Sequence, residues 1–189
     1  MSNLVGKDQL LITNFPFEPV SYAQCTPQSV NDFLKNVPLE RICLLDSEAT
    51  ETLSPADSQN FDYFLFGGIL GNGKLRCSKV FSLSIPLVDE FDFDRTSVLR
   101  VRGFPTRNLG NMQMTTDTAV RVSKMILIDG ATFPEIPFVD RPEFEVQGQQ
   151  ERLVMNFRYV ADEQGEPLIC PEVLALLKED FEFNLEDLE

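Results

Sequence analysis

Apolar positions in this chain gather in short unbroken runs, and polar stretches with helical spacing lie between them. Residues 9–13 (QLLIT), 41–45 (RICLL) and 62–66 (DYFLF) are such runs. A half-exposed strand alternates, whereas an uninterrupted apolar strand suits a parallel sheet covered on both faces. Between the runs, Thr26 before Pro27 predicts a capped helix over 27–36, and residues 55–60 predict one helical turn. Strands separated by helices in this order predict a single α/β domain: a mostly parallel sheet with helices on both faces.

Residues 73–93 break the rhythm, with β-like apolar spacing at Val80, Leu83, Ile85 and Leu87 but no place in a βα repeat. A short helix is predicted over 95–102, stopped at Phe104-Pro105, and a strand over 106–109. The clearest helix spans 117–129. It carries Ala119, Val122, Met125 and Ile126 on one stripe, which Val120 and Ile128 widen. Residues 134–140 read as extended, 153–160 as one strand holding Arg158, and 171–178 as a terminal amphipathic helix. The domain is therefore placed at 1–178, and an acidic tail, mobile at its end, at 179–189.

Composition narrows the chemistry. At 189 residues with 43% hydrophobic content the chain is about one domain. It has no stretch of the ~20 apolar residues that a membrane helix needs. Its N-terminus lacks a basic region followed by an apolar one, so the expectation is a soluble, cytoplasmic protein. There is no histidine, and the cysteines at 25, 43, 77 and 170 are scattered. That excludes zinc sites of ordinary spacing and histidine-activated nucleophiles, and no metal site is expected. The thiols read as buried and free. A formal charge of −14, from 30 acids against 16 bases, disfavours nucleic acid and favours basic protein partners.

Two loops carry the candidate chemistry. The first, Gly67, Gly68, Ile69, Leu70 and Gly71, follows an apolar strand directly. Ligands of open α/β sheets sit beyond the carboxyl ends of strands, and glycine there admits a close approach of backbone to ligand. The spacing is not that of a dinucleotide fingerprint, and a plain tight turn explains it equally well. The second loop holds Leu109 and Gly110, then Met114, Thr115, Thr116, Asp117 and Thr118 at the start of the clearest helix. One polar residue suffices to cap a helix; this density leaves hydroxyls and a carboxylate to face a ligand. Arg107 and Arg158 are possible ligand contacts. Asp140 and Glu143, on either side of Arg141-Pro142, are candidates for gripping a guanidinium in bidentate fashion.

These same segments carry a resemblance. FDYFLFGGILG, DRT (94–96), RNLGNMQMTTDTA, IPFVDRPEF and NFRYV follow one another as in a family of SPOUT-class methyltransferases. That family includes the fungal enzyme that methylates an arginine of a small-subunit ribosomal protein. The resemblance covers most of residues 4–72 and 94–178. It implies an α/β fold with a C-terminal trefoil knot and S-adenosylmethionine held in the two loops. It implies a basic, ribosomal protein substrate and a working unit that is a monomer or a homodimer. Asp117, Asp140 and Glu143, in that order, are then the carboxylates that would hold the substrate guanidinium and take its proton. An RNA methyltransferase of the same fold is the alternative, which the negative charge disfavours.

The chain departs from the family pattern twice. The family's first strand and helix are missing ahead of Met1, and residues 73–93 are an atypical insertion beside the first loop. Both departures raise a further alternative, an inactive variant that acts only as a binding protein.

Overall fold

The computed structural model describes residues 1–18, 20–21, 23–67, 95–145 and 152–186. Gly68 to Gly71 and the insertion at 73–93 lie outside the described residues.

The centre is a three-stranded parallel sheet of order β4-β3-β5, built from β3 (Ile42–Leu45), β4 (Tyr63–Leu65) and β5 (Thr106–Arg107). A separate parallel pair joins β1 (Leu11–Ile12) to β2 (Gln24–Cys25). The unbroken apolar character of β3 is explained by what covers it. Ile42 and Leu44 face a cluster with Leu34 and Phe104, joined by Val30 of α2 (Val30–Phe33) and Leu99 of α4 (Arg95–Arg100). Leu45 and Phe64 face the opposite cluster, centred on Val122 and Ile126 of α5 (Thr116–Leu127). Helical residues thus cover both faces, as the continuous run predicts. The short helices α1 (Ser2–Val5) and α3 (Asp57–Asn60) complete the first half.

The C-terminal part changes style. β6 (Phe138–Asp140) pairs antiparallel with β9 (Arg158–Val160), and β7 (Glu143–Glu145) pairs antiparallel with β8 (Arg152–Val154). The predicted single strand at 153–160 is therefore two, because its halves bond to different partners. Residues 134–140 are not wholly extended either: the Glu135 carboxylate accepts from the Thr132 N–H and hydroxyl, both at 2.7 Å, and Phe133–Glu135 wind into a 3-10 turn. α6 (Pro171–Glu186) runs past the expected end at 178.

Two further expectations are corrected. The cap of α2 is Ser29, whose hydroxyl accepts from the Asp32 N–H at 3.2 Å, whereas Thr26 accepts from Gln28 two residues on. Ile128 does not widen the buried stripe of α5. It lies just past the helix and is 66% exposed. Of the thiols, Cys43 is buried, Cys25 half-buried and Cys170 exposed; Cys77 lies outside the described residues. Burial pushes the Cys43 thiol up to about 12, which makes it inert at neutral pH. Among the described residues no helix is long and apolar enough to cross a membrane, and no acid or cysteine cluster is arranged for a metal ion.

Candidate functional site

The carboxyl ends of the central strands open onto a cleft that encloses about 680 Å³ of empty space open to solvent. β3 contributes Leu45, with Asp46 and Ser47 beyond it; the end of β4 contributes Phe66 and Gly67. The segment after β5 supplies residues 109–114, and α5 supplies Thr116 and Ala119. Thr96 of α4 closes the list of walls, itself buried. The cleft is open on one side, and its lining mixes apolar side chains with a few polar groups, the make-up of a small-molecule site.

Gly67, the first residue of one loop singled out in the sequence, meets the other loop here. The Thr116 hydroxyl donates to the Gly67 carbonyl at 3.3 Å, joining the first turn of α5 to the end of β4. Thr115 has the extended backbone of an N-cap, but its hydroxyl pairs with that of Thr118 at 2.8 Å instead of capping a helix N–H. Gly110 is needed for two reasons. Its φ of +83° suits glycine, and a Cβ there would lie 2.6 Å from Cζ of Phe133. Of the predicted cofactor residues, Gly67, Leu109, Gly110, Met114 and Thr116 line the cleft. Thr118 is buried behind it, and Thr115 does not line it.

None of the three predicted carboxylates lines the cleft. Asp117 follows Thr116 in the first turn of α5. It lies close enough to Tyr159 of β9 that its charge adds to burial in pushing the Tyr159 hydroxyl up to about 12. Asp140 is engaged in bidentate fashion by Arg158, at 2.6 and 2.8 Å, and the Arg158 guanidinium lies over the Phe138 ring. Arg158 forms a bridge to Met114, so this pair sits one strand behind the cleft wall. Hydrogen bonds from Arg158 hold the Asp140 carboxyl below the ordinary carboxylate range. Glu143 is exposed on β7 and forms an ion pair with Arg152 of β8 at 3.5 Å. Arg107 is spent on Asp57, Glu51 and the face of Phe61.

Of the lining residues that the sequence reading missed, Asp46 is the charged one. Asp46 is 4% exposed, lines the cleft, and accepts from Arg100 at 2.5 and 2.8 Å and from the Glu48 N–H at 3.1 Å. Burial alone would raise its pKa. The hydrogen bonds and charge of Arg100 outweigh that, and the carboxyl is held below its ordinary value. A lone acid after an apolar run is a weak signal, but its position at the carboxyl end of a parallel strand was visible.

A protein-family model described as "Protein arginine N-methyltransferase SFM1-like" matches residues 1–184. The chain belongs to this SFM1-like family. Protein arginine N-methyltransferase SFM1 of Saccharomyces cerevisiae is 39% identical over 168 residues, which cover 85% of this chain and 70% of that protein. A crystal structure of the yeast arginine methyltransferase SFM1 complexed with SAM aligns with a TM-score of 0.74 at 33% identity, covering 95% of this chain and 80% of that one. The complex with SAH aligns with a TM-score of 0.72 at 32% identity, over 93% and 84% of the respective chains. At these identities the likeness extends beyond the α/β fold to the family itself.

Proposed function

We propose that this chain is an S-adenosylmethionine-dependent methyltransferase that acts on an arginine side chain of a basic protein, a component of the small ribosomal subunit. The observation that carries the reading is the Thr116–Gly67 hydrogen bond, which joins the start of the first glycine loop to the helix start that follows the second. It stands in a family whose yeast relative has been crystallised with SAM and with SAH. The cleft suits that cofactor: Leu45, Leu109, Met114 and Ala119 offer apolar surface, and Asp46, Ser47 and Thr116 offer hydrogen-bonding groups. When bound, S-adenosylmethionine supplies an electrophilic methyl group on a sulfonium.

The chain's own residues then have three tasks. The apolar lining excludes water, which strengthens every polar contact within the cleft. The rigid walls hold the reacting groups in line, where most of the acceleration arises. A carboxylate must grip the guanidinium, whose pKa above ~12 makes it a poor nucleophile, and take the one proton it gives up as the new N–C bond forms. Asp117 ranks first, one residue from the cleft wall and at the positive end of α5. Asp140 and Glu143 already face arginines of this chain and rank after it. The proposal extends to the family's C-terminal trefoil knot, to a monomer or homodimer, and to the cytoplasm as the place of action. The acidic surface favours a basic protein over RNA.

The test is incubation of the chain with methyl-labelled S-adenosylmethionine and either ribosomal protein extract or ribosomal RNA. Label recovered as methylarginine after hydrolysis is the expected result. Label on RNA would favour the nucleic-acid alternative, and label on neither would overturn both.

A further inference from the structure

We propose that Arg100 is a positioning residue for the cofactor cleft, acting through Asp46 and Thr96; this rests on the cleft holding S-adenosylmethionine. Among the described residues that line the cleft, Asp46 alone is charged. Taking such a carboxylate out of water is costly unless a partner compensates it. Arg100 is that partner, and it arrives from α4, 54 positions along the chain. Its planar fork meets both carboxylate oxygens, while the Glu48 carboxylate takes its other side at 3.0 Å.

The consequence is geometric. Arg100 lies four residues after Thr96, so both occupy one face of α4. Thr96 is buried and lines the cleft. The ion pair therefore ties α4 to the carboxyl end of β3 and fixes two polar groups, the Thr96 hydroxyl and the Asp46 carboxylate, in a common wall. A carboxylate has about four acceptor positions. Arg100 and the Glu48 N–H fill three. The fourth is available to a hydroxyl or ammonium donor of the cofactor. Lysine in place of Arg100 would keep the charge but lose the fork.

Calorimetric titration of S-adenosylmethionine into the wild type, Arg100→Lys and Arg100→Gln, between about pH 5 and 8, tests the assignment, with thermal unfolding of each unliganded chain alongside. Among the described residues the groups facing Asp46 are Arg100 from α4 and Glu48 from the following turn. Arg107 of β5 offers it only a backbone carbonyl. In the wild type Asp46 stays ionised throughout, and affinity is flat with pH. In Arg100→Gln burial is opposed only by the Glu48 N–H, so the Asp46 carboxyl moves up. Affinity is then lower by about tenfold or more, and it falls further as pH drops. Arg100→Lys loses affinity while its pH response stays flat. A purely structural role would move the unfolding temperature and leave the pH response untouched. Wild-type affinity and pH response in both variants would overturn the inference, and Arg100→Lys carries the test if Arg100→Gln does not fold. Failure of the wild type itself to bind would overturn the underlying function instead.

Discussion

Single residues decide whether the cleft has its shape, and Gly110 is the clearest case. Its backbone occupies the left-handed region, and the space its missing Cβ would need is held by the Phe133 ring. That ring packs against Phe138, with ring centroids 5.4 Å apart, so it cannot retreat without disturbing the cation–π contact behind it. Gly110→Ala should therefore destabilise the fold by about 1–3 kcal/mol from backbone strain, with the displaced ring adding to it. Because Gly110 also lines the cleft, cofactor affinity should fall in the same variant. Urea unfolding and a binding titration check both; an alanine variant unchanged in each would refute the packing account. The glycine was legible in the sequence, but its reason was not. Nothing local announces that Phe133, far along the chain, fills the space in front of it.

Elements were legible in proportion to how local their causes are. β3 was read from its apolar run because burial on both faces leaves no polar position to interrupt it, and β4 because Phe64 and Leu65 pack on opposite clusters although Tyr63 is exposed. α5 was read from its stripe, since Val122 and Ile126 are fully buried at the predicted spacing. The stretch 153–160 misled because β-propensity is silent about partners. Met155 N–H bonds to Pro142, while Phe157 accepts from the Arg141 N–H, and between them the chain passes from β7 to β6. The Asp140–Arg158 pair then crosses β6 and β9. Asp140 is 44% exposed, so the pair should contribute less than about 1 kcal/mol after solvent screening. Its folded pKa is lowered, so that contribution is present above the unfolded carboxylate value of about 3.9 and is lost as pH falls through the folded one. Asp140→Asn should lower stability slightly at neutral pH and make no difference in strong acid. Denaturant midpoints of both proteins across that range check the sign; an equal deficit at every pH would mean the effect is not electrostatic.

At the scale of the whole molecule the dominant fact is charge, and it was available from composition alone. Asp46 shows the limit of such a reading, since its importance depends on an arginine that only the fold brings to it. Net charge is different: it acts at a distance and needs no register. With −14 spread over 189 residues, a cationic protein approaches down a favourable potential, whereas an RNA backbone is repelled. Salt screens this field over a Debye length of about 10 Å at 0.1 M and about 3 Å at 1 M. Long-range steering should therefore fade as salt rises, while short-range contacts inside the cleft persist. The expected kinetic signature is a KM for the basic protein substrate that rises several-fold between about 0.05 and 0.5 M salt, with kcat nearly constant. Initial rates measured across that range decide it. A KM indifferent to salt would mean that the surface charge does not guide the substrate, and that recognition of the target arginine rests on short-range contacts around the cleft alone.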